Sequence, residues 1–159
     1  MKNYIILLIS VILDGVIYNI TMYQLNHLTY FTPMCTVVSL IFLYDNKNFI
    51  KLWLLSSVVY GTLYMSNLLL SLALFFVVMQ VIKLCKYLFE DNLLTIVLQI
   101  IVVIVIYDGL FWVINFLTFY NSFSFDDYIY KVSHSIIFNL LYGTSLYYLC
   151  DKSSSKNIF

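Results

Sequence analysis

The sequence has few of the residues that make a protein surface polar. Its 159 residues include no arginine, eight lysines and eight acidic residues, so charged residues make up only 10% of the chain. Soluble domains carry about 25% charged residues because their surfaces face water. This scarcity excludes a soluble enzyme, a secreted disulfide scaffold and a disordered tail. With zero net charge and no basic run, the chain also lacks the electrostatic footprint of a nucleic-acid-binding protein.

Small residues and proline are rare as well. There are four glycines, one proline and one alanine, although membrane helices usually pack through small residues. Most of the chain is instead apolar, with 63% hydrophobic and 19% aromatic residues and a mean hydropathy of +0.95. This composition predicts an all-α integral membrane protein, with the lipid bilayer as its surroundings.

Apolar runs divide the chain into six predicted transmembrane helices. A helix needs roughly 20 mostly apolar residues to cross the hydrocarbon core of a bilayer. The predicted helices occupy about 4–23, 30–44, 49–65, 68–88, 93–118 and 130–149. The connections are too short for a second domain, so residues 1–159 are predicted to form a single transmembrane domain. The first run is interpreted as a membrane helix rather than a signal peptide, because Asp14 interrupts it and no small-residue cleavage site follows.

The lysines predict how these helices are oriented. Most lie near the two ends of the chain or around the second and fourth connections: Lys2, Lys47, Lys51, Lys83, Lys86, Lys152 and Lys156. The positive-inside rule therefore places both termini and these two connections in the cytoplasm. An odd number of spans would put the lysines near the C-terminus on the opposite side, so the pattern favours six.

The sequence shows no catalytic or metal-binding pattern. Cys35, Cys85 and Cys150 are far apart and are interpreted as small apolar fillers. His27 and His134 fall on or near the outer connections and are interpreted as solvated interfacial residues. There is neither a Gly-x-Ser-x-Gly elbow nor a glycine-rich phosphate loop. We therefore expect neither enzymatic activity nor a cofactor.

Polar residues inside the predicted helices are the candidate functional residues. Asp14 and Asp108 lie in mid-helix, where a carboxylate is unfavourable by at least about 2.5–3.5 kcal/mol and usually faces the bundle interior. Asn139 is expected to be buried and hydrogen-bonded, and Asn19 and Asn115 follow the two aspartates. One interpretation is a proton or ion relay, or contacts to a solute or to a partner helix. The other is that the aspartates are hydrogen-bonded structural locks between helices one and five.

Several short motifs carry a resemblance to a known family. They are Phe31-Thr32-Pro33 at the start of helix two, with Thr32 as the expected N-cap, the run from Tyr60-Gly61-Thr62-Leu63-Tyr64 to Asn67, then Leu72-Ala73-Leu74, and Ile137 to Tyr142 in the last helix. Together these motifs resemble the rod shape-determining protein MreD family. The matching positions are Pro33, Gly61, Leu63, Tyr64 and Ala73.

The resemblance implies a non-enzymatic scaffold in the bacterial cytoplasmic membrane. Members of that family bind the bitopic protein MreC in the cell-elongation complex. This complex links MreB filaments to the polymerase RodA and its class B penicillin-binding protein, and it guides lateral peptidoglycan synthesis. In this chain Met65 and Leu72 stand where the family has Asp and Asn.

The resemblance also implies an alternative function. The family shares a general fold with the S subunits of energy-coupling-factor transporters, which bind vitamins. The alternative is therefore a small-solute binding subunit whose ligand would lie among the outer helix ends. The absence of Ala-x-x-x-Ala motifs counts mildly against it. A proton-coupled carrier that uses Asp14 and Asp108 is a third possibility.

Overall fold

The computed structural model describes residues 2–24, 34–45, 47–65, 67–89, 92–119 and 125–155. These residues form helices and no strand, which confirms the all-α prediction for this part of the chain. The helices are α1 (Lys2–Gln24), α2 (Cys35–Leu43), α3 (Phe49–Leu63), α4 (Leu68–Leu88), α5 (Leu93–Phe119) and α6 (Phe125–Ser155).

Helices α4 and α5 begin at the predicted residues because local caps start them. The Asn67 side chain accepts a hydrogen bond from the Leu70 N–H at 3.1 Å. The Asn92 side chain accepts one from the Thr95 N–H at 2.9 Å, and the Asn92 N–H donates to the Thr95 hydroxyl at 3.1 Å. Each cap satisfies N–H groups that lack a partner within the helix. Helix α6 extends beyond the predicted 130–149 at both ends.

Helix α2 differs most from its prediction. The apolar run predicted a helix over 30–44, but α2 starts at Cys35 after a non-helical Met34, whereas Thr32 and Pro33 lie outside the described residues. Its 9 residues give a length of about 14 Å at 1.5 Å per residue. A bilayer core is about 30 Å thick, so α2 covers about half of it, and a complete second span would have to include residues outside α2.

Helix α2 lies at the centre of the molecule. It packs against α1, α3, α5 and α6, and 8 of its 9 residues are buried. Its sequence is apolar or small on every side, and a helix without a polar face is stable only where neighbours surround it. The rest of the bundle is therefore arranged around this short helix.

Helices α3 and α4 form a tight antiparallel hairpin. The Ser71 hydroxyl of α4 donates to the Ser57 carbonyl of α3 at 2.7 Å. The Trp53 indole N–H of α3 donates to the Phe75 carbonyl of α4, also at 2.7 Å. Gly61 of α3 lies close to the backbone of α4 at Leu68.

Large apolar side chains cover the outward faces of the helices. Examples are Leu69, Leu94, Ile50 and Ile137, whose exposed fractions are 78%, 69%, 66% and 66%. Helix α4 and the part of α5 from Leu93 to Ile114 are long and apolar enough to cross a membrane, and only 33% and 39% of their apolar stretches are buried. Contiguous apolar surface of this kind marks contact with lipid or with a partner.

Replacing Gly61 by alanine is expected to loosen the α3–α4 hairpin. A Cβ atom at this position would lie 3.0 Å from the Leu68 Cα and 3.0 Å from the Ser71 Cβ. Because a backbone atom cannot rotate away, we expect Gly61→Ala to lower the free energy of unfolding by about 1–3 kcal/mol. Denaturation in detergent, followed by circular dichroism, measures this change.

Gly109→Ala is the matched control. The nearest atom to a Cβ there is the Tyr128 Oη at 3.4 Å, which is an ordinary contact. Alanine is preferred over glycine within helices by up to about 1 kcal/mol, so this variant is expected to keep or gain stability. Equal losses in the two variants would contradict the proposed crossing.

Candidate functional site

The Asp14 carboxylate binds the start of α2. Its Oδ1 accepts a hydrogen bond from the Cys35 N–H at 2.8 Å, and its Oδ2 accepts from the Thr36 N–H at 3.0 Å. The Thr36 hydroxyl also donates to Oδ2, at 2.7 Å. Asp14 is only 1% exposed. A side chain of α1 therefore caps a different helix inside the bundle.

Asn139 of α6 completes this cap. Its Oδ1 accepts a hydrogen bond from the Met34 N–H at 3.0 Å, and its amide nitrogen donates to the Ser135 carbonyl at 2.8 Å. Three consecutive N–H groups at the start of α2 thus have side-chain acceptors from two other helices. Negative charge at a helix N-terminus is also favoured by the helix dipole. We call Asp14, Asn139 and the first turn of α2 the α2 cap.

Two tyrosines of α3 lie beside the α2 cap. The Tyr60 hydroxyl lies 3.5 Å from Asp14 Oδ2, at the outer limit of a hydrogen bond. The Tyr64 hydroxyl donates to the Val11 carbonyl of α1 at 2.8 Å. A Cβ on Gly15 would lie 2.6 Å from the Tyr64 Oη, so glycine provides the space for this contact. These contacts hold α3 against α1.

Asp108 of α5 forms an ion pair with Lys131 of α6. The Lys131 Nζ lies 3.5 Å from Asp108 Oδ1, and the two side chains are 18% and 0% exposed. The Lys131 Nζ also lies 4.7 Å from the centre of the Phe111 ring. Trp112, Phe125 and Tyr128 pack their rings together nearby.

These partners correct one interpretation of the sequence. The two aspartates were expected to lock helices one and five together. Asp14 instead joins α1 to α2, and Asp108 joins α5 to α6. Each carboxylate binds a group that carries positive charge. For Asp14 this group is the N-terminus of α2, where the helix dipole is positive, and for Asp108 it is the ammonium group of Lys131.

The remaining sequence candidates fall into different surroundings. Asn19 is exposed, and its amide donates to the Gly15 carbonyl of its own helix at 2.8 Å. Asn115 belongs to α5, but its side chain lies outside what the structure describes, as does Pro33. Leu63 is 65% exposed, and Ala73 is exposed on α4.

Sequence reasoning missed several side chains that tie the helices together. The Ser10 Oγ of α1 lies 2.7 Å from the Tyr142 Oη of α6, and Thr36 and Tyr60 both face Asp14. Serine, threonine and tyrosine are common in this chain, so their type alone did not single them out. The two aspartates and Asn139, which are polar residues within apolar runs, gave the clear signal, and all three are buried.

The Gln99 amide and the Tyr107 hydroxyl are buried without a hydrogen bond among the described residues, and both residues are 1% exposed. Tyr107 packs its ring against Phe75, with ring centres 6.4 Å apart. Buried polar groups are paired in most proteins, so these two groups point to a solute or to water between the helices.

The geometry of the α2 cap is that of a structural lock. Both Asp14 oxygens accept hydrogen bonds from groups of the protein, and all three donors belong to the first turn of α2. Cys35 and Cys85 are buried and free. Across the ranges the structure describes, no three His, Cys, Asp or Glu side chains come together as metal ligands.

Replacing Asp14 by asparagine is expected to destabilise the fold. One acceptor oxygen becomes an NH₂ group, so at least one N–H of α2 faces another donor. An unpaired buried donor is unfavourable by about 1–3 kcal/mol, and we expect a loss of that size in the free energy of unfolding in detergent. Asp45→Asn makes the same change at an exposed position and is expected to alter stability by less than about 0.5 kcal/mol. If the two variants changed the free energy of unfolding equally, the α2 cap would not contribute to stability.

The Asp108–Lys131 pair is testable by a double-mutant cycle. Lys131→Met leaves a buried carboxylate without its ammonium partner. This single variant is expected to lose more free energy of unfolding than Lys131→Met combined with Asp108→Asn. We expect a coupling free energy of about 1–3 kcal/mol, measured from the unfolding of the four proteins. A coupling near zero would mean that the two groups titrate and pack independently.

No protein-family model, curated protein or solved structure matches this chain.

Proposed function

We propose that the chain is a multi-pass membrane scaffold of a bacterial cell-elongation complex. In this proposal it lies in the cytoplasmic membrane as six spans with both termini in the cytoplasm, and its fold is similar to that of vitamin-binding S subunits. It binds a single-span, MreC-like partner. Through that partner it acts on RodA and a class B penicillin-binding protein, and indirectly on MreB, to guide cell shape and lateral peptidoglycan synthesis.

The outward faces of the helices support the membrane placement. Two helices are long and apolar enough to span a bilayer, and their apolar stretches are mostly unburied. Exposed isoleucine, leucine and valine side chains also cover α1 and α3, among them Ile5, Ile12 and Val58. In water such surfaces would drive aggregation, whereas lipid tails or partner helices cover them without loss.

The scaffold proposal depends mainly on the hydrogen bonds of Asp14 and Asn139. Both side chains are buried, and both hydrogen-bond the first turn of α2. A carrier that moves protons needs an acidic group that exchanges with water on each side in turn. The Asp14 carboxylate is instead held by three donors from α2, as a rigid platform requires.

The positions that resemble the MreD family also support a scaffold. Gly61 lies at the α3–α4 crossing, and Tyr64 joins α3 to α1. Leu63 and Ala73 face outward, where a partner helix would find them. Gly61 and Tyr64 thus contribute to packing between helices, and Leu63 and Ala73 lie on the surface.

One observation favours the second candidate, a small-solute binding subunit. The Gln99 amide and the Tyr107 hydroxyl are buried without a hydrogen bond among the described residues, as groups awaiting a ligand would be. However, the lysine pattern directs the start of α5 towards the cytoplasm, and Gln99 lies near that start. A vitamin site is expected at the opposite, outer side. The scaffold is therefore the preferred function.

Depletion of the protein in its own rod-shaped host tests the proposed function. We expect cells to widen or round as the protein disappears, because lateral wall synthesis loses its guidance. Affinity purification of the tagged full chain from membranes is expected to recover a single-span protein with a large extracytoplasmic part. Asp14→Asn is expected to recover less partner and to restore the normal cell width only in part, in proportion to its lower abundance, and Asp45→Asn serves as the control.

Two outcomes would contradict the scaffold. Unchanged cell shape under full depletion would remove the role in elongation. Recovery of an ATPase module together with vitamin uptake that depends on the chain would establish the transporter subunit instead.

Complete loss of function in Asp14→Asn at normal abundance would assign this carboxylate a role beyond structure.

A further inference from the structure

Tyr107 of α5 has a buried hydroxyl group that no described side chain pairs with. The residue is 1% exposed, and its Oη makes no hydrogen bond among the described residues. The buried residues one turn before it on α5, Val103 and Ile104, are apolar and offer no partner. Buried hydroxyl groups are normally paired, either with the protein or with ordered water. The Tyr107 hydroxyl therefore needs a partner that the described side chains do not supply.

Aromatic contacts place Tyr107 beside the α2 cap. Its ring packs edge-on against Phe75 of α4, with ring centres 6.4 Å apart. The Tyr60 ring of α3 packs against the same Phe75 at 5.4 Å, and the Tyr60 hydroxyl points towards Asp14 Oδ2 at 3.5 Å. Tyr107 also interacts electrostatically with both Tyr60 and Asp14. Its hydroxyl thus lies near the carboxylate but makes no direct hydrogen bond to it.

The hydrogen bonds of the α2 cap determine which kind of molecule can bridge this gap. The groups that bind Asp14 through Cys35 and Thr36 are donors, and the Tyr60 hydroxyl also donates towards the carboxylate. A bridging molecule must therefore accept a hydrogen bond from Tyr107 and donate hydrogen bonds towards Tyr60 and Asp14. Water does both with a single oxygen atom.

The surroundings of the gap favour the smallest such molecule. Asp14 and Tyr107 are each 1% exposed, and Phe75, Cys35 and Thr36 are fully buried. The gap is therefore enclosed by side chains of α1, α2, α4 and α5, with no opening for a larger solute. A buried water needs two to four polar partners, and the two tyrosine hydroxyls and the carboxylate supply three.

We propose that one water molecule binds between the Tyr107 hydroxyl and the α2 cap. The water accepts a hydrogen bond from Tyr107 and donates to the Tyr60 oxygen and to the Asp14 carboxylate. Because every O–H group of this chain then points towards the negative charge, the hydrogen bonds polarise and strengthen one another. The water thereby ties α5 to the start of α2, which α1 and α6 already hold.

Tyr107→Phe tests this site through the sign of its effect on stability in detergent. Removal of an unpaired buried hydroxyl would stabilise the protein, whereas removal of one that binds the water is destabilising. We expect the equilibrium constant of unfolding to rise by about three- to tenfold. Tyr148→Phe removes a hydroxyl from a tyrosine that is 57% exposed on α6, and this control is expected to leave stability unchanged. Unchanged or increased stability in Tyr107→Phe would contradict the proposal.

Nuclear magnetic resonance of the full chain in micelles detects the water itself. We expect nuclear Overhauser effects between water and the ring protons of Tyr60 and Tyr107, and we expect the effect at Tyr60 to disappear in Tyr107→Phe. Leu52, which is fully buried on α3, is the control and is expected to show no such effect. Absence of the effect at both tyrosines would overturn the proposal, because the hydroxyl would then have another partner. Effects from a bound solute in place of water would overturn it as well.

The water site does not depend on the proposed scaffold function. Unchanged cell shape under depletion would refute the scaffold and leave the water site in place. A stabilised Tyr107→Phe variant would refute only the water site.

Discussion

Helix α2 begins inside the bundle, where water does not reach its first N–H groups. Met34, the residue before it, offers no side-chain cap. Asp14 and Asn139 supply the acceptors from α1 and α6, so three helices meet at one set of hydrogen bonds. Because α2 touches four of the other helices, its position sets theirs. Without the α2 cap, a short apolar helix would have an unpaired polar end at the centre of the molecule.

Elsewhere in the described structure, several buried polar side chains join helices in pairs, as Asp108 and Lys131 do for α5 and α6, and Ser10 and Tyr142 do for α1 and α6. Apolar side chains cover the outside. The interior is also largely apolar, so the described helices differ from a soluble domain mainly in their apolar outward faces.

Much of the helix pattern could be predicted from local sequence. The bounds of α4 agree with the apolar run over 68–88, and those of α5 differ by one residue from the predicted 93–118. The inward position of Asp14 and Asp108 follows from the solvation of charge alone. Their partners could not be predicted, because Thr36 and Lys131 are ordinary residues until the chain folds. Helix α2 was predicted too long for a related reason: apolar content is read along the chain, whereas its start is set by a tertiary cap.

The sequence by itself determined that the chain is helical and apolar, where α3, α4 and α5 begin, and that a few polar residues must face inward. These properties depend on each residue and its near neighbours along the chain. For example, the Asn92 side chain that starts α5 binds the N–H of Thr95, only three residues away. The tertiary structure decided which helices those polar residues join. The donors that Asp14 binds are 21 and 22 residues away, and the one that Asn139 binds is 105 residues away. Hydrogen bonds across such separations depend on how the helices pack, which local sequence patterns do not encode.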